Sequence, residues 1–133
     1  MEELRLPSDG ACEWAGMGSY NLISPDSSKT IDLIYAGEPP HGDSYHVLKV
    51  NGKKVPGFAW GCLFGFSTDS RYLVFSWMEK LFERKTMVLD CNQEKYFILP
   101  EYIHSFSVNW PFIKENKGES SYVFSGSEQW LSL

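Results

Sequence analysis

Tyr45-His46-Val47-Leu48-Lys49-Val50-Asn51-Gly52 decides the fold. Tyr45 to Val50 reads as a strand, rich in residues that favour one. Asn51-Gly52 then supplies the two residues that tolerate φ > 0 in a type I′ turn, the strongest short hairpin signal. The returning strand is short, because Pro56-Gly57 interrupts it. Working back, Thr30-Ile31-Asp32-Leu33-Ile34-Tyr35-Ala36 alternates too, with Ile31, Leu33 and Tyr35 on one face. Ser24-Pro25-Asp26-Ser27-Ser28 before it is dense turn chemistry.

Working forward, residues 59–67 and 71–78 form the next pair of strands around Thr68-Asp69-Ser70. Both faces of Arg71 to Trp77 are apolar, which marks a central strand. Met78 to Lys85 reads equally as one helical turn or as a hairpin tip. Thr86–Asp90 and Lys95–Leu99 make another hairpin, and Pro100 ends it. Ser105 to Phe112 reads as a strand broken by Pro111, Lys114 to Ser120 as a polar, mobile stretch, and Tyr122–Ser125 with Gln129–Leu133 as a last hairpin or edge. No window carries a sustained helical apolar stripe. The expected core is Ile31, Leu33, Leu48, Leu63, Phe64, Leu73, Phe75, Val88, Leu89, Phe97 and Ile98.

Two segments echo each other. Ser24-Pro-Asp-Ser-Ser-Lys-Thr-Ile-Asp-Leu-Ile-Tyr35 matches Ser67-Thr-Asp-Ser-Arg-Tyr-Leu-Val-Phe-Ser-Trp77, and Val47–Lys54 matches Val88–Lys95. This turn-strand-loop-strand-hairpin-strand unit resembles the blades of WD40 or TolB-type β-propellers. The resemblance covers residues 20–100, with a partial third unit toward Leu133. The Gly-His and Trp-Asp signatures of that family are absent, and a closed wheel needs at least about four blades. The expectation is therefore one mainly β domain over residues 1–133: an antiparallel meander of two or three blade-like sheets packed together, with little helix.

With 133 residues, 43% apolar and 16% aromatic, the chain has the means to bury a core and is no disordered tail. Its net charge of -5 is unevenly spread: residues 1–43 hold two basic and eight acidic side chains, residues 44–133 ten basic and nine acidic. This balance argues against a nucleic-acid partner and for a basic protein partner. The start, Met1 to Pro7, has neither the basic start nor the apolar run of a secretory signal, and no window is apolar enough for a membrane helix. Cys12, Cys62 and Cys91 form no C-x-x-C pair and read as reduced thiols of a cytoplasmic protein.

No motif dictates a reaction. His41, His46 and His104 lack metal-ligand spacing, no phosphate loop or nucleophile elbow occurs, and none of the cysteines has an activating neighbour. The expectation is no catalytic residue, no metal and no cofactor. In size, composition and β-rich texture the whole chain resembles bacterial immunity proteins, which accompany polymorphic toxins of Rhs, contact-dependent or type VI secretion systems. That resemblance implies a chain that occludes the active site of a cognate toxin protein with acidic and aromatic side chains, the toxin's cleft being basic where its substrate is nucleic acid or a nucleotide cofactor. A structural module pairing between chains and a small ligand-binding β domain are the alternatives. The expected interface is the loop Gly37-Glu38-Pro39-Pro40-His41-Gly42-Asp43, with Glu38 and Asp43 flanked by Tyr35 and Tyr45, together with Trp77, Glu79, Phe82 and Glu83 at the corresponding place of the second unit.

Overall fold

The computed structural model describes residues 2–15, 18–38, 44–81 and 83–133, and the side chains of all of these but 61 and 62. The chain is mainly β, with fourteen strands and no helix among the described residues. Strands β1 (Glu2–Arg5) and β2 (Glu13–Trp14) precede a first unit of β3 (Tyr20–Ile23), β4 (Thr30–Gly37), β5 (Tyr45–Val50) and β6 (Lys53–Lys54). A second unit follows with β7 (Phe58–Phe66), β8 (Tyr72–Met78), β9 (Lys85–Asp90) and β10 (Lys95–Ile98). Then come β11 (Phe106–Asn109), β12 (Phe112–Glu115), β13 (Ser121–Val123) and β14 (Leu131–Ser132). No helix long and apolar enough to cross a membrane occurs among the described residues.

The echo in the sequence is an echo in structure. In the first turn, the Lys29 N–H donates to Ser24 Oγ and the Ser27 N–H to the Ser24 carbonyl, while Asp26 Oδ1 accepts from the Ser24 hydroxyl and the Ser28 N–H. In the second, the Tyr72 N–H donates to Ser67 Oγ and the Ser70 N–H to the Ser67 carbonyl, while Asp69 Oδ1 accepts from the Ser67 hydroxyl and the Arg71 N–H. Ser27 (φ 67°) and Ser70 (φ 62°) hold the same left-handed place. The Asn51-Gly52 turn forms as expected, both residues with positive φ (52° and 80°).

The units are joined at one corner. Lys53 and Lys54 pair with β5, but after Val55-Pro56-Gly57 the chain crosses over and pairs with β8. Gly57 makes the corner possible: its φ is +72°, and a Cβ there would lie 2.4 Å from the Met78 carbonyl oxygen. Tyr45 and His46 of β5 pair with Trp60 and Ala59 of β7 at the same corner, so one hydrogen-bonded sheet of eleven strands runs through both units. It is folded over on itself. In a flat sheet β5 and β9 would stand roughly 14 Å apart. Here the β5–β6 hairpin reaches the β9–β10 hairpin, Lys53 Nζ lying 3.0 Å from Glu94 Oε1 and Asn51 Nδ2 3.1 Å from Glu94 Oε2. Leu22, Ile31, Leu33, Leu48 and Val50 from one unit and Phe64, Phe66, Leu73, Phe75 and Leu89 from the other enclose a common core. The sheet does not close into a barrel.

The opposite face of the second unit is apolar as well, and β11, β12 and β13 form a small antiparallel sheet over it. Phe106, Val108 and Ile113 pack on Val74 and Val88, which explains why β8 is buried along its whole length. The break at Pro111 proves to be a tight turn with a cis Trp110–Pro111 bond between β11 and β12. Lys114 and Glu115 belong to β12, and the Glu115 N–H donates to the Ser120 carbonyl, so the polar stretch is the return of a hairpin. The last two strand-like segments do not pair with each other: β13 adds to β12, while β14 adds to β10 and β1 runs parallel to β3. Met78 to Lys85 holds no helix among its described residues. Leu63, Phe97 and Ile98 are half-buried rather than fully enclosed; in β10 this follows from its place near the rim, covered only by the two residues of β14.

Candidate functional site

Among the described residues, no three histidine, cysteine, aspartate or glutamate side chains gather as a metal site would need. The Cys91 thiol is buried, which pushes its pKa up to about 12, far from a reactive thiolate. The residues with binding character lie instead at the end of the units where the long connections emerge.

Strand β7 organises this end. Phe58, at its start, pairs with Met78, so the β8–β9 connection begins there. Tyr45, where the β4–β5 connection returns, pairs with Trp60 and sets its ring edge-on to Phe58 at 5.3 Å. The Arg84 guanidinium from the β8–β9 connection stands over the Trp60 ring at 4.5 Å. The two connections therefore share a base on β7. Further along β7, past a register shift between Ala59 and Phe64, Leu63 pairs with Trp14 of β2.

The expected interface residues divide. Tyr35 is 38% exposed, Glu38 and Glu79 are exposed, Tyr45 and Glu83 are half-buried, and all belong to this end. Glu83 accepts the Lys80 N–H at 3.0 Å and stands 3.6 Å from Lys85 Nζ, and these contacts hold its carboxyl below the usual range. It therefore braces the β8–β9 connection. Trp77 is not on the surface. It is 5% exposed, its ring lies in the common core, and its Nε1–H donates to the Pro56 carbonyl at 2.6 Å. The alternation of β8 turns it inward with Phe75 and Leu73. Asp43 and Phe82, with Pro39, Pro40 and His41, lie outside the described residues.

Two contributors escaped the sequence reading. Trp14 is the most exposed large apolar side chain among the described residues, at 58%, and Glu13 beside it is exposed as well. A two-residue strand has no period to detect. The Arg84–Trp60 contact also leaves no local mark, because the partners come from different strands.

His46 closes the inner wall of this end. Its Nε2 lies 2.8 Å from the Gly18 carbonyl and must carry the proton that this bond needs, which leaves Nδ1 as a buried acceptor without a partner among the described residues. Burial lowers its pKa, so the ring is neutral. The Tyr35 ring meets it edge-on at 6.0 Å. The loop end thus presents the carboxylates of Glu38 and Glu79 and the exposed ring of Tyr35, and β2 adds exposed Glu13 and Trp14 further along β7. No known protein family, no curated protein and no solved structure matches this chain.

Proposed function

We propose that this chain is a cytoplasmic binding protein that neutralises a cognate toxin protein by seating the loop end of its two units in the toxin's active-site cleft. One observation carries the reading: Glu38 and Glu79 are exposed at the loop end together with the ring of Tyr35, and Glu13 and Trp14 are exposed on β2, which pairs with the next stretch of β7. Carboxylates speed encounter with a basic cleft, and rigid aromatics supply the contact area that holds it. The framework favours this use. Pro39 and Pro40 restrict the backbone of the β4–β5 loop, which lowers the ordering cost on binding. The test is to read the neighbouring gene for a toxic domain and co-express that domain with this chain. Survival of the host and co-purification of a stable complex are expected. A neighbouring toxic domain that neither binds this chain nor is silenced by it overturns the reading.

A further inference from the structure

Between the second unit and the small sheet lies a cleft of about 410 Å³, far from the loop end, bordered by Arg71, Tyr72, Asp90, Lys95, Trp110 and Trp130. Its acids are already occupied. Asp90 accepts Arg71 Nε–H and Nη2–H at 3.2 and 2.9 Å and the N–H groups of Asn92 and Gln93. Glu128, also on the rim, accepts the Tyr122 hydroxyl and the N–H groups of Ser125 and Gly126. Its cations keep donors free, although Arg71 is ion-paired with Asp90. Asp90 uses two of the five N–H groups of Arg71. Lys95 stands directly across from Asp90 in the β9–β10 register, yet its ammonium makes no ion pair among the described residues. The remaining wall is aromatic. Tyr72 stacks on Trp110 at 3.5 Å with planes 8° apart, and Phe124 continues to Trp110 at 4.4 Å and to Trp130 at 5.6 Å. Both indoles are half-buried, so part of each borders the opening. The repeat does not require this chemistry: the first unit has Ser28 where the second has Arg71, and Lys49 where it has Asp90.

Donors to spare, acceptors spent and an aromatic border together select an anion carried on a ring. We propose that this cleft binds a small molecule with one anionic head, phosphate or carboxylate, on a planar ring system, the head between Arg71 and Lys95 and the ring against Trp130 and the outer edge of Trp110, whose faces are already covered by Tyr72 and Phe124. The site stands apart from the toxin-binding reading and does not depend on it.

Calorimetry and tryptophan fluorescence with AMP and with indole-3-acetate test it on the intact protein. Saturable binding of either probe, with quenching, is expected; AMP alone points to a phosphate head and indole-3-acetate alone to a carboxylate. Lys95→Gln, on a half-exposed strand position, should weaken binding about tenfold without moving the melting temperature. Glu38→Lys, at the loop end, should leave it unchanged. Absence of binding by both probes at millimolar concentration, or a Lys95→Gln protein that binds as the parent does, overturns the proposal.

Discussion

The backbone N–H of Asp26 donates to the hydroxyl of Ser70 at 3.1 Å, so the two corresponding turns of the repeat touch each other. Each turn is complete within itself, and this bond adds the contact between them. Ser70 is 1% exposed, and its hydroxyl has no water to fall back on. Ser70→Ala should therefore destabilise the protein by about 1 kcal/mol, the net worth of one hydrogen bond. Urea unfolding measures this, and an unchanged midpoint would show that the turns are held together by the core alone.

Phe75 stacks on Phe64 at 5.9 Å where the two units face each other, and it is wholly buried. Truncation leaves a cavity that neighbours from two separate strands have to fill. Phe75→Ala should cost about 3–5 kcal/mol. Denaturant titration gives the value, and a loss under about 1 kcal/mol would mean the second unit's centre lies elsewhere.

His46 makes stability depend on pH. Burial holds the folded imidazole below its ordinary pKa of 6.5. As pH falls through that value the unfolded chain takes up a proton and the folded one does not, so the unfolded state gains. The contribution of His46 is whole above pH 6.5 and shrinks on the way down toward its folded pKa. The urea midpoint should fall between roughly pH 7 and 5. In His46→Gln that slope should flatten. Equal slopes in both proteins would place the proton on another group.

Charge reversal at two exposed positions, one on β2 and one at the loop end, tests the steering role. Glu13→Lys with Glu38→Lys should slow association with the toxin domain by about tenfold and reduce its salt dependence, while dissociation changes less. Stopped-flow measurement at two ionic strengths decides it. An unaltered association rate in a folded double variant would remove both positions from the interface.

Cys91 should be inert toward a thiol reagent at pH 8 in the folded protein, since its thiol stays protonated to about pH 12 and is 2% exposed. Mass mapping after brief labelling should find it modified only once the chain is unfolded. Labelling at the native rate of the half-buried Cys12 would contradict the packing of the common core.

How far the residues announced all this can be seen element by element. Ile31 and Leu33, Leu48 and Val50, and the Asn51-Gly52 turn were legible because strand alternation and turn chemistry are local. The matching of Ser24 with Ser67 and of Asp26 with Asp69 was legible because each side chain serves its own turn. The pairings of β14 with β10 and of β2 with β7 were not, since they join distant segments through backbone groups that every residue carries. The same holds for the site. Tyr35 lies near the end of a readable strand and Glu38 just past it, whereas the loop-side position of Trp77 hides which face of β8 it occupies. Trp14 and the cleft of Arg71 and Lys95 depend on which strands come together across the fold.

The small sheet of β11, β12 and β13 has one more consequence. Sheets that stack face to face have no built-in length: any apolar face left open invites another layer, in cis or from a second molecule. Phe106, Val108 and Ile113 end the series on one side by covering Val74 and Val88, and their strands turn Asn109 and Lys114 outward. On the other side the outward positions of the first unit include Asn21, Asp32 and Lys49, with Asp32 directly opposite Lys49. The outer face of the small sheet is itself mixed, with Asn109 and Lys114 beside the exposed Phe112 and Val123, so deleting the sheet would exchange that face for the wholly apolar one of Val74 and Val88.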